Sequence, residues 1–189
     1  GSGKTVIATA VIEALLFGST DLDQEPDPRT TFLWITDDPA LNRQTRARMN
    51  DASELMTPWS LQDVDESFGD ADLAPGRVYF LNTQKLSKTA RLSQSGTNAR
   101  EFSFWDILRT TMTAGRTDLV LVLDEAHRGM KRTVERKGIV QRLIHGEPGS
   151  NPAIPIVWGI SATIDRFTRA MGETPDRTMR TNVAVDIER

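Results

Sequence analysis

The chain has 189 residues, 38% of them hydrophobic and 26% charged, with a formal net charge of −3. This is the make-up of one ordinary globular domain, and it is too short for two large α/β units. There is no cysteine, which excludes disulfides and thiolate metal sites. No apolar run approaches membrane-spanning length, and no signal peptide precedes the first motif, so an intracellular, cytoplasmic protein with no membrane partner is expected. The negative balance argues against a domain-wide basic footprint, so any nucleic-acid contact must be local.

The first five residues, Gly1, Ser2, Gly3, Lys4 and Thr5, run directly into an apolar helical stretch. They read as the second half of a phosphate-binding loop. Glycines let backbone amides close around phosphate oxygens, and the amino terminus of the following helix adds partial positive charge. Lys4 would reach the β- and γ-phosphates of ATP, and the Thr5 hydroxyl would coordinate Mg²⁺. An artificial Gly-Ser linker would not continue into a patterned helix. That helix is expected from Lys4 to Phe17, burying Val6, Ile7, Ala10, Val11, Ala14 and Leu15, with Gly18 closing it. A complete loop needs a preceding strand and a further glycine, so the chain is expected to be a fragment that lacks its first, phosphate-loop strand.

Ser19 to Thr30 is rich in Asp and Pro and reads as an exposed loop. Thr31 to Thr36 is a buried strand in which Trp34 belongs to the core. Asp38 followed by Pro39 makes an N-cap and first turn for a helix through Met49. It carries Arg43, Arg46 and Arg48 beside Gln44, a basic turn that can hold nucleic-acid phosphates, although a solvated helix face reads nearly as well. Residues 51 to 72 are acidic and weakly periodic, with a short helix expected around Ser60 to Phe68. Pro75-Gly76 turns into a strand, Val78 to Leu81, followed by the polar cluster Asn82, Thr83, Gln84 and Lys85. Ser87 to Ser103 reads as a mobile loop. Ser103 and Asp106 are spaced as a capping box for a helix through Trp105, Ile107, Leu108 and Met112 to Gly115.

Leu119 to Leu123 is five consecutive aliphatic residues. A strand with no polar face is buried on both sides, as in a parallel sheet covered by helices. Asp124 and Glu125 follow at its carboxyl end, where open α/β sheets bind ligands. Two carboxylates there suit a hydrated cation and an activated water, and a solvated acidic turn is the alternative. The phosphate-loop signature at the chain's start favours the first reading. A basic stretch from Arg128 to Lys137, a helix with Ile139, Val140, Leu143 and Ile144 closed by Gly146, and a strand from Ile154 to Ile160 come next. Ser161-Ala162-Thr163 ends that strand. A short helix from Phe167 to Met171 and a strand or linker from Val183 to Ile187 complete the chain.

In order, GSGKT, ITDDPALNRQ, FLNTQKL, DEAHRG and SAT resemble the first RecA-like domain of superfamily 2 helicases and translocases. The runs FLNTQKLS, LDEAHRGM and PIVWGISAT look most like DEAD/DEAH-box proteins related to the restriction subunits of type III restriction enzymes. The resemblance covers nearly the whole chain. It implies a single RecA-like P-loop NTPase domain over residues 1–189, mainly parallel sheet flanked by helices. It implies a motor that hydrolyses ATP with Mg²⁺ to move a DNA helicase or translocase, with double-stranded DNA and a modification (methyltransferase) subunit as partners.

By the same resemblance Lys4 and Thr5 bind ATP and Mg²⁺, Asp124 holds Mg²⁺ through water, and Glu125 orients and deprotonates the attacking water. His127 would contact Ser161 and Thr163, joining the nucleotide site to nucleic-acid movement. Gln44, Arg43 and the turn Thr83, Gln84 and Lys85 would grip the nucleic-acid backbone. The missing first strand is expected in the middle of the sheet beside the DEAH strand. The second RecA-like domain with its arginine fingers is not in the sequence, so residues 1 to 189 alone are expected to be inactive. An RNA helicase and a non-hydrolysing nucleotide-binding scaffold are the alternatives.

Overall fold

The computed structural model describes residues 3–96, 101–124 and 134–160, together with Met171. Its strands are β1 (Thr30–Thr36), β2 (Leu61–Asp63), β3 (Val78–Asn82), β4 (Asp118–Asp124) and β5 (Ile156–Ile160). Its helices are α1 (Lys4–Phe17), α2 (Pro39–Ala52), α3 (Phe104–Thr113) and α4 (Val134–His145), with short 3-10 turns at Thr83–Leu86 and Arg91–Ser93. The five strands form one parallel sheet in the order β2-β3-β1-β4-β5. The expected α/β architecture, a parallel sheet flanked by helices, is therefore present.

The sheet has two buried faces because its central strands are apolar at both parities. Phe32, Trp34, Val78, Phe80, Val120 and Val122 point to one face and pack with Ala8, Ile12 and Leu16 of α1 and Met49 of α2. Leu33, Ile35, Tyr79, Leu81, Leu119, Leu121 and Leu123 point to the other and meet Phe104, Ile107 and Leu108 of α3 and Val140, Leu143 and Ile144 of α4. This alternation of side chains along a strand is what turns an unbroken aliphatic run into two cores. No helix among the described residues is long and apolar enough to cross a membrane.

Several local expectations need correction. Within this chain β4 pairs with β1 on one edge and β5 on the other, so the unpaired edge expected on it is not seen among the described residues. In α1 the buried residues are Ala8, Thr9, Ile12, Ala14 and Leu16, whereas Val6 and Ile7 are 56% and 64% exposed. That helix is apolar nearly all round, so periodicity alone could not single out its face. The true stripe, Ala8, Ile12 and Leu16, is one residue, about 100°, away from Ile7, Val11 and Leu15.

The helix expected around Ser60 to Phe68 is instead the short edge strand β2, whose Leu61 pairs with Val78. Leu61 and Val64 have helical spacing, but both are buried through pairing to β3, and the Val64 amide donates to the Phe80 carbonyl at 2.9 Å. The stretch after Ser87 is anchored by buried Leu92 in its own 3-10 turn. β5 begins at Ile156 rather than Ile154, following Pro155, which has no amide to give a ladder. Phe167 to Ala170 and Val183 to Ile187 lie outside the described residues.

Candidate nucleotide and nucleic-acid edge

The carboxyl ends of the strands gather the polar residues that follow each apolar run. Thr36 and Asn82 are neighbours in the β1–β3 ladder, and Asp124 and Ile160 are neighbours in the β4–β5 ladder. The start of α1 returns to this same edge. Its other end is tied to the opposite edge, where the Asp27 amide donates to the Leu15 carbonyl at 2.7 Å and the Asp27 carboxylate receives the Thr30 hydroxyl at 2.9 Å. Fourteen helical residues span about 21 Å, and the seven residues of β1 span about 23 Å. Packed along the sheet, α1 thus carries Gly3, Lys4 and Thr5 back to the level of Asp124.

Among the described residues no side chain caps the amino terminus of α1, and no acidic residue sits in its first turn. A Cβ built on Gly3 would meet nothing within 4 Å. The first-turn amides of a helix need acceptors, and an uncapped, glycine-led terminus without competing carboxylates is suited to receive an anion. Lys4 and Thr5 are half-buried beside it, and Asp124 is half-buried at the end of β4. An ammonium, a hydroxyl, the amides of a helix amino terminus and a carboxylate are the donor set that an ATP·Mg²⁺ complex requires.

The cap and first turn of α2 are built as its sequence promised. The Asp38 side chain accepts the Ala40 amide at 2.8 Å and Pro39 takes the first turn of α2. Arg43, Gln44 and Arg48 are exposed. Arg46 is not part of this face, because its guanidinium pairs with Asp63 at the end of β2. Beneath the turn, the Thr36 hydroxyl donates to the Asn42 side-chain carbonyl at 2.7 Å and to the Asp38 carbonyl at 3.1 Å.

The cluster after β3 is less free than expected. Thr83 is 1% exposed. The Gln84 side-chain amide donates to the Asp37 carbonyl at 3.1 Å, and the Lys85 ammonium to the Val64 carbonyl at 3.3 Å. The Asn82 side chain accepts the Gln84 amide at 2.8 Å. Thr36 and Asn42 escaped notice in the sequence, although a polar residue closing an apolar strand was the available signal for Thr36. Gly1, Ser2, Glu125, His127, Ser161 and Thr163 lie outside the described residues.

Comparison with curated proteins yields no match. A family model described as type III restriction enzyme, res subunit, matches residues 1–166, which takes in α1, all five strands and the helices between them. The match agrees with the parallel sheet, the amino-terminal phosphate-loop sequence and the carboxylate closing the central aliphatic strand. The chain belongs to the type III restriction enzyme res-subunit family of P-loop NTPases, as a helicase-type ATPase motor domain.

Proposed function

We propose that this domain binds and hydrolyses ATP to drive movement along double-stranded DNA, in a restriction-related helicase or translocase. The observation that carries the reading is the convergence of the uncapped α1 terminus, Asp124 and the exposed Arg43-Gln44 turn on one edge of a parallel sheet. When bound, ATP supplies the phosphoryl group and Mg²⁺ neutralises charge on it. Lys4 and the α1 amides would hold the phosphates, and Thr5 and Asp124 would hold Mg²⁺, Asp124 through water. Glu125, next in sequence to Asp124, would orient the attacking water and accept its proton. His127 with Ser161 and Thr163 would join that site to the nucleic-acid surface. Arg43 and Gln44 would hold backbone phosphates, which position a strand without reading its sequence. A modification subunit is the expected protein partner.

The test is a pair of variants in the complete protein. Glu125→Gln should retain ATP binding and lose turnover, because the amide is nearly isosteric yet cannot accept the proton. Lys4→Ala should weaken ATP binding itself. Hydrolysis by Glu125→Gln at the wild-type rate would refute the assignment. Stimulation by duplex RNA rather than duplex DNA would move the substrate to RNA.

A further inference from the structure

Two side chains of the polar cluster after β3 are already spent on the protein's own backbone. Gln84 holds the Asp37 carbonyl of the β1 exit, 47 residues away in sequence. Lys85 holds the Val64 carbonyl, just past the end of β2. Asn82 fixes the turn itself by accepting the Gln84 amide. One four-residue turn therefore ties together the carboxyl ends of three adjacent strands, β2, β3 and β1.

What this holds in place is the start of α2. Asp37 is followed by Asp38, which accepts the Ala40 amide through its side chain and the Leu41 and Asn42 amides through its carbonyl, at 2.8, 3.0 and 3.3 Å. The exposed Arg43 and Gln44 follow within that helix, and Arg48 lies on the next turn. One of the three donors of the Lys85 ammonium is committed to the Val64 carbonyl, so the side chain can swing out to follow a phosphate only by breaking that tether. The exposed guanidinium groups of Arg43 and Arg48 meet no such cost.

We infer that Gln84 and Lys85 are positioning residues, forming a clasp that sets the stance of α2, and that Arg43, Gln44 and Arg48 are the groups that meet a nucleic-acid backbone. The inference rests on the nucleic-acid reading proposed above for this same edge. The clasp acts on affinity through α2, without adding a phosphate contact of its own.

The experiment measures binding of a fluorescein-labelled random-sequence DNA duplex, and of its RNA counterpart, to the complete protein across a salt series. Arg43→Ala should lower the slope of log affinity against log salt by about 0.9, the loss of one phosphate contact. Lys85→Met should weaken binding with the wild-type slope retained. Separately, and without nucleic acid, Gln84→Met should speed amide exchange at Ala40, Leu41 and Asn42 by about five-fold, the effect of one lost hydrogen bond. A slope in Lys85→Met that falls as in Arg43→Ala would overturn the inference, as would unchanged exchange in Gln84→Met. Wild-type protein that binds neither duplex would refute the nucleic-acid reading alone. Faster exchange in Gln84→Met would then still uphold the clasp, and unchanged exchange would overturn it.

Discussion

Replacing Ser103 by alanine tests how α3 is started and what its first turn contributes. Ser103 is 6% exposed and makes a reciprocal capping box. Its hydroxyl accepts the Asp106 amide at 3.2 Å and donates to the Asp106 carboxylate at 2.6 Å, while its own amide donates to that carboxylate at 3.0 Å. Removing the hydroxyl strands one first-turn amide and costs about 1 kcal/mol, with about 2 as the upper end for a cap of this kind. Because Phe104, Ile107 and Leu108 carry α3 into the core, loosening of the first turn should register in global unfolding.

The same substitution has a pH signature. The Ser103 hydroxyl is the chief reason that the Asp106 carboxyl titrates below its ordinary 3.8, burial working against it and Arg109 helping. A carboxylate with a depressed folded pKa contributes stability above its unfolded pKa and loses it as pH falls through the folded one. The Ser103→Ala penalty should therefore be full at neutral pH and shrink once the pH is taken below 3.8. Urea midpoints of the complete protein and its variant, measured at both extremes, check this. A penalty of equal size at neutral and acid pH, or none at neutral pH, would refute the reasoning, and Ser103→Thr should restore most of the loss.

Leu121→Ala should cost about 2–5 kcal/mol in a thermal or urea unfolding experiment, since Leu121 is fully buried at 0% exposure on the α3/α4 face. Tyr79→Phe should cost about 1 kcal/mol at neutral pH, because the Tyr79 hydroxyl accepts the Ala74 amide at 2.9 Å and leaves it unpaired when removed. Burial raises the Tyr79 phenol above 10.0, so the wild type should lose stability as pH climbs past that value, and the phenylalanine variant should lose less. Replacing Ser161 and Thr163 together by alanine should spare much of the ATPase rate while impairing translocation, and equal loss of both activities would count against a coupling role.

The buried strands were readable because they are apolar at both parities, and Leu119 to Leu123 announced a two-sided sheet by itself. Caps were readable too, since Asp38-Pro39 and Ser103 with Asp106 are local chemistry that short sequence spans encode. The buried face of α1 was not, because Val6, Ile7, Val11 and Leu15 are as apolar as the residues that meet the sheet. β2 was hidden by its length, three residues whose conformation is set by β3 rather than by their own propensity. At the site, residue types were legible but their engagements were not. Nothing in Gln84 or Lys85 says that their side chains are committed to carbonyls 47 and 21 residues away.

The central position of β1 has a consequence for how the chain folds as it is made. Its first residues close against partners that arrive late, as in the Thr31 hydroxyl bonds to the Ala74 carbonyl and to the Thr117 hydroxyl, 43 and 86 residues downstream. At ribosomal rates of about 5–20 residues per second, the second of these partners emerges on the order of ten seconds after β1 itself. During that interval the edge of β1 that pairs with β4 is unsatisfied, and the face carrying Leu33 and Ile35 waits for the helices α3 and α4 that cover it. Parallel pairing over such separations is slow. Nascent chains of this length are thus expected to depend on chaperone cover from the synthesis of β1 until β4 has left the ribosome.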